Sequence, residues 1–313
     1  MIFILQITQG TVDIDFSEAL GNSKSVDADI IESRLLRSLL GLVVGGSSAI
    51  IGLGIQTLFK NPLAGPTTLG VNSGASLGVG IFYLIPGIAV EFQWIGLSLF
   101  AVAGALLLLF LLLSIAGKSF NLTFVLIVGL LFSYASYAVL EVLMQLSDDA
   151  GMKSYVFWGM GSFNRGTWLS LALLGLVEII GVSIMVKLSN WLNIYSLGDK
   201  ELKLLSKKSI RLNKRLLLIV FGIWIGSITS VVGPIAFVGI VVPNILKIIL
   251  RTSNIKILLP LSLILGANLV LLADLISRGA IFGIMLPINA VLSVLGVPVI
   301  IYFLIKRVSG VRS

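Results

Sequence analysis

Long apolar runs, separated by short polar breaks, dominate the chain. Windows of about 20 residues, enough for a helix to cross a bilayer core, recur near 38–58, 67–88, 92–116, 122–146, 167–189, 213–232, 234–250, 257–276 and 287–305. The pattern predicts an all-α polytopic membrane protein with about nine spans, forming a single transmembrane domain over 1–313. The opening MIFILQITQ is apolar but too short to span, and it lacks the basic stretch of a signal peptide.

One break differs from the rest. In NPLAGPTTLGVNSGASLG, residues 61–78, the prolines stop a helix because each removes a backbone donor and restricts the residue before it. Gly70, Gly74 and Gly78 then follow at four-residue spacing, with Asn72 and Ser73 among them. Two readings stay open. Small residues let membrane helices approach closely, or polar atoms and bare backbone line a substrate path.

Composition narrows the function classes. The chain is 57% hydrophobic and 12% charged, with a mean hydropathy of +1.10, too apolar for a soluble domain. It has no cysteine and no histidine, which removes disulfides, thiolate sites, zincin chemistry and imidazole ligation. A net charge of +8 in so apolar a chain marks cytoplasmic loops. If the loop after 38–58 is cytoplasmic, only Lys24, Arg34, Arg37, Lys153, Arg165 and Arg278 of the 22 basic residues fall outside. The C-terminus is then cytoplasmic. The one long cytoplasmic connection, near 190–212, carries Lys200, Lys203, Lys207, Lys208 and Arg211 with leucines between them. It reads either as a solvated loop that enforces topology or as a platform for a cytosolic partner.

No catalytic constellation assembles. AGKS at 116–119 is not a phosphate loop, because the first glycine of GxxxxGK[ST] falls on Leu112. Energy from ATP must therefore come from another chain. Glu141 and Glu178 lie within predicted spans, where an acid faces a cavity or a partner. Helix-packing hydrogen bonds and proton relay are both compatible with that placement. Asp274 and Arg278 are spaced as a local i,i+4 ion pair, and Arg34 and Arg37 share a helical face just before the first full span. These outer arginines read as interface anchors or as sites for an external partner's carboxylates.

Taken together, the motifs resemble the FecCD-type permeases, the membrane subunits of bacterial ABC importers for iron–siderophore complexes, haem and cobalamin. The matching stretches are RLLRSLLGLVVGG (34–46), QTLFKNPLAGPTTLGVNSGA (56–75), WGMGSFNRGTW (158–168), LNIYSLGDKELKLLS (192–206), GPIAFVGIVVPNILKIIL (233–250), LLADLISR (271–278) and LPINAVLSVLGVPVIIYFL (286–304). The resemblance implies the type II importer fold of about nine to ten transmembrane helices per permease. It also implies a partnership of two permeases, identical or paralogous, with two cytosolic ATP-binding subunits and an extracellular or periplasmic binding protein. ATP and Mg would be bound by the partner ATPase, so this chain is expected to be a transport subunit of the bacterial cytoplasmic membrane, without a cofactor, metal or catalytic residue of its own.

Residue by residue, the resemblance implies ATPase coupling at Leu197, Gly198, Asp199, Glu201, Leu205 and Ser206, and binding-protein docking at Arg34, Arg37 and Arg278. It implies a pathway or close-packing role for Gly70, Asn72, Ser73, Gly74 and Gly78. The chain departs from the pattern in several places: Leu36 replaces the proline of RxPR, Asn244 and Lys247 replace the His and Arg of PHxxR, Ser206 replaces a glycine, Leu202 replaces a small residue, and the first helix is shortened to MIFILQIT. The expected cargo is an iron(III)–siderophore complex. Haem comes second, with Tyr134, Tyr137, Tyr155 and Met160 as its possible contacts, and cobalamin third. The alternative from another class is a secondary transporter that couples ions through Glu141 or Glu178.

Overall fold

The computed structural model describes residues 1–9, 14, 25–67, 69–85, 93–116, 122–197, 207–279 and 284–310. Among the described residues the regular structure is helical: α1 (Ile2–Thr8), α2 (Val26–Phe59), α3 (Val71–Leu84), α4 (Gln93–Ala116), α5 (Leu122–Leu146), α6 (Asp149–Gly159), α7 (Trp168–Leu197), α8 (Lys207–Val232), α9 (Val238–Leu250), α10 (Ile255–Ser277) and α11 (Ile288–Gly310). Six of these are long and apolar enough to cross a membrane, and α3, α9 and α11 contribute shorter apolar stretches.

Helix α2 is the central strut. Ser25 caps it by accepting from the Ala28 amide at 3.2 Å, and Asp27 and Asp29 complement the positive end of its dipole. Its apolar window is 83% buried, whereas those of α5 and α7 are only 28% and 22% buried and lie at the periphery. What lets neighbours reach α2 is its glycines. A methyl group at Gly45 would collide with the Gly266 carbonyl of α10, one at Gly52 with the Gly239 carbonyl of α9, and one at Gly54 with the Phe221 ring of α8. Backbones this close maximise dispersion contacts, the main attraction available between helices in lipid.

Two predicted spans shorten. The window 67–88 becomes α3, which starts only after Gly70 (φ +73°) and ends at the extended Ile85. The window 234–250 becomes α9, preceded by the unwound run from Gly233 (φ +80°) to Phe237 (φ +66°). At 1.5 Å per residue these helices reach only about 20 Å, less than the roughly 30 Å of a hydrocarbon core. The apolar windows were longer because unwound backbone inside a protein can carry apolar side chains too.

Helix α6 is an element the hydropathy pattern does not predict. Asp148 caps it, its Oδ1 accepting from the Gly151 amide at 3.0 Å, and α6 packs back on α3.

Proline 243 shows how the bundle repairs its own breaks. It has no N–H, so the Gly239 carbonyl one turn back loses its helical donor. Gln56 of α2 supplies a replacement, its Nε2 donating to the carbonyls of Gly239 and Ile240 at 3.2 Å each.

Candidate functional site

One end of the bundle, assigned to the outside by charge, gathers the three arginines singled out above. Arg34 and Arg37 stand one turn apart near the start of α2, and Arg278 caps the end of α10. All three line one cleft of about 430 Å3, together with Asn164, Asp274, Ser277 and an apolar rim of Ile30, Phe157, Met160 and Met285. The cleft exists because α2 and α10 run antiparallel in contact, which returns residue 274 to the level of residue 37.

Asp274 organises the floor. It is 1% exposed and accepts from Arg37 three times: from Nε at 2.9 and 3.1 Å and from Nη2 at 2.6 Å. The remaining nitrogen of that guanidinium, Nη1, donates to Asn164 Oδ1. Arg278 Nε lies 3.1 Å from Asp274 Oδ2, an ion pair too oblique to count as a hydrogen bond, and its Nη2 is buried without an acceptor. Burial pulls the Arg278 guanidinium down to about 10, while Asp274 pushes it up and Arg37 and Arg34 push it down; it remains a cation at neutral pH.

The short α1 completes the cluster. Arg34 Nη1 donates to the Ile7 carbonyl at 3.0 Å and Arg278 Nη1 to the Gln6 carbonyl at 3.2 Å. Gln6 is fully buried and donates to the Leu271 carbonyl of α10. The end of MIFILQIT is thus a backbone acceptor for two of the three arginines.

The i,i+4 pair of Asp274 and Arg278 was legible in the sequence. The clasp of Asp274 on Arg37, 237 positions away, was not, and neither were the contributions of Asn164 and Gln6. Local spacing carries no information about which helix end meets which.

The glycine-rich helix is packed tightly. A methyl group at Gly74 would sit 2.5 Å from the Gly104 carbonyl of α4, one at Gly78 would meet the Phe100 carbonyl, and one at Gly70 would lie 2.6 Å from the Gly129 carbonyl of α5. Asn72 and Ser73 are buried, and Asn72 Oδ1 accepts from the Thr229 hydroxyl of α8 at 3.3 Å.

The NPLA turn is a fixed structure. Lys60 takes the left-handed conformation (φ 47°), Asn61 Oδ1 accepts from the Leu63 amide at 3.0 Å, and Asn244 Nδ2 donates to the Pro62 carbonyl at 2.8 Å. Lys247, one turn further along α9, donates to Gln56 Oε1 at 2.9 Å. The two residues that depart from PHxxR thus tie α9 to the turn and to α2.

Gly198, Asp199, Glu201, Leu205 and Ser206, expected from the resemblance to couple to an ATPase, lie outside the described residues. Leu197 is the last residue of α7 and is exposed.

Of the two intramembrane acids, Glu178 is half-buried, its Oε1 against Gly46 of α2. Glu141 is exposed on α5, on one face with Tyr134, Tyr137 and Gln145. Tyr155 is half-buried on α6 and stacks on Trp158, with ring centroids 5.8 Å apart.

The model of the FecCD transport family matches residues 1–306. The vitamin B12 import system permease protein BtuC of Klebsiella pneumoniae is 34% identical over 278 residues, covering 88% of this chain and 82% of that protein. An uncharacterized ABC transporter permease protein, YvrB of Bacillus subtilis, is 32% identical over 305 residues, with 95% and 85% covered. Among solved structures, an ABC transporter described as of metal-chelate type, in an inward-facing conformation, superposes with a TM-score of 0.84 at 26% identity, covering 97% of this chain and 95% of that one.

Proposed function

The chain belongs to the FecCD transport family and is a permease subunit of an ABC importer; on that premise we propose that it moves a bulky metal chelate, an iron(III)–siderophore complex in the first reading, into the cytoplasm. The observation that carries this reading is the family match over residues 1–306 together with similarity to a vitamin B12 permease and to a metal-chelate transporter. Those cargoes share one chemistry, a metal held inside a large organic ligand.

The absence of histidine favours the siderophore over haem, because this chain has no imidazole to take haem iron from a carrier. A corrinoid is the second reading, favoured by the B12 relative. Haem is the third.

In this reading, two permeases enclose a central path, two cytosolic subunits bind ATP and Mg below, and a binding protein docks outside on the cleft of Arg34, Arg37 and Arg278. The protein sits in the bacterial cytoplasmic membrane with its C-terminus inside. ATP-driven closure of the cytosolic pair reaches the path through residues near 197–206. Such coupling requires that the ATPase contact the two states of the path differently. The face of α5 with Tyr134, Tyr137, Glu141 and Gln145 supports the placement of the path. An exposed carboxylate and amide on a membrane helix are costly against lipid and favourable against water.

The deciding experiment is ATP-dependent uptake by the complex reconstituted in proteoliposomes with the ATPase, permease and binding protein encoded beside it. A ferric trihydroxamate, a ferric catecholate, cobalamin and haem are supplied in turn. Accumulation of a ferric chelate alone establishes the first reading, and accumulation of cobalamin or haem replaces it with the corresponding alternative. In the same assay Glu141→Gln and Glu178→Gln should leave ATP-driven uptake in place. Uptake without the ATPase would favour an ion-coupled mechanism instead.

A further inference from the structure

We infer that Asp274 is an internal competitor for the docking cleft: it holds Arg37 turned inward, and an acidic partner docks by taking Arg37 from it. The inference rests on the docking role proposed above for the arginines.

Its basis is the way Arg37 spends its donors. Nε and Nη2 both bind the Asp274 carboxylate, and Nη1 binds Asn164, so all three nitrogens are engaged within the chain. Only 14% of the Arg37 side chain is exposed, and Asp274 lies at the cleft floor with 1% exposed. A partner carboxylate approaching from the rim therefore meets a guanidinium that is already paired, in the bidentate geometry that carboxylates and arginines favour.

Nη1 and Nη2 each keep a second N–H, but the Nε–Nη2 edge is filled, so a partner carboxylate takes that edge only when Asp274 gives it up. Docking at that edge of Arg37 is thus an exchange of one carboxylate for another rather than capture by a free charge. Asp274 also lowers the positive charge that the cleft presents to an approaching acid, so it slows electrostatically steered encounter. Both effects act in the same direction. Together they keep an empty cleft from binding any acidic surface tightly, and they reward a partner whose carboxylate reaches the floor and fits the rim of Ile30, Phe157, Met160 and Met285.

The test uses the assembled importer in lipid nanodiscs and its binding protein, with association and dissociation rates followed at low and high salt. Asp274→Asn keeps the shape of the side chain and removes its charge. It should tighten binding by about tenfold, with a faster association rate that falls more steeply with salt. Asp274→Glu disturbs packing at least as much but keeps the competitor, and it should bind no more tightly than the unaltered complex. If the asparagine variant does not assemble, Asp274→Ser carries the same expectation.

Unchanged or weaker binding in the neutral variant would overturn the inference, because a residue that merely positions Arg37 can only weaken docking when it is altered. Arg37→Glu in the same assay separates this failure from failure of the docking role. If that variant binds as tightly as the unaltered complex, the cleft is not the docking site and the inference falls with it. If it loses binding while Asp274→Asn does not gain it, only the exchange is wrong.

Discussion

Gly52→Leu should yield no folded permease, and Gly52→Ala should already lower the melting temperature of the purified protein sharply. The Gly239 carbonyl occupies the place where a side chain at 52 would begin, so neither helix can yield by rotating a side chain. Overpacking of well-filled cores costs about 1–3 kcal/mol where side chains can adjust, and more where backbone must separate. Here separation would also pull Gly239 and Ile240 away from Gln56, leaving carbonyls without donors inside the bundle. Gly159 and Gly175 are the controls, since a methyl group at either meets nothing within 4 Å. Alanine there should shift stability by no more than about 0.5 kcal/mol. Fluorescence-detected size exclusion after graded heating would rank the variants, and equal melting of Gly52→Ala and Gly175→Ala would contradict the close α2–α9 crossing.

Arg37→Glu should raise the dissociation constant for the binding protein by about a hundredfold, the equivalent of roughly 3 kcal/mol. The reversal does more than delete one contact. It sets a glutamate beside Asp274, which loses its ion pair with Arg37 and keeps the one with Arg278, and it gives the cleft a second negative charge facing an acidic partner. Uptake at limiting binding-protein concentration should fall in parallel and recover in part when the binding protein is raised. Surface plasmon resonance on the reconstituted complex reads the constant directly. Intact affinity would remove the arginine cleft from the docking interface.

The contrast between these two sites shows what a single sequence can and cannot reveal. Hydropathy located the nine apolar helices among the described residues because lipid imposes one rule on every span. It overran α3 and α9 because glycine and proline end a helix without making the chain less apolar. It missed α6 because a half-exposed helix of 11 residues lacks any long apolar window.

Charge sorting put Arg34, Arg37 and Arg278 at one end of the bundle, and the motifs added an expectation for their role. The counter-ion that Arg37 shares with Arg278 depended on α2 lying antiparallel to α10, which no local spacing encodes. The four-residue glycine spacing was ambiguous for a similar reason. The same small residue serves a narrow crossing or an open path, and spacing does not show that the carbonyls of Phe100, Gly104 and Gly129 lie across from it.

The repair at Pro243 also has an evolutionary consequence. A proline that strips a carbonyl of its donor and a glutamine on another helix that restores one are a single solution written at two distant positions. A lineage that replaces the proline regains a main-chain donor and leaves the amide at Gln56 with less to do; one that replaces the glutamine first orphans a carbonyl in the interior. The order of change is therefore constrained. Relatives that keep proline at 243 should keep a donor at 56, and those that have lost the donor should be found to have lost the proline before it.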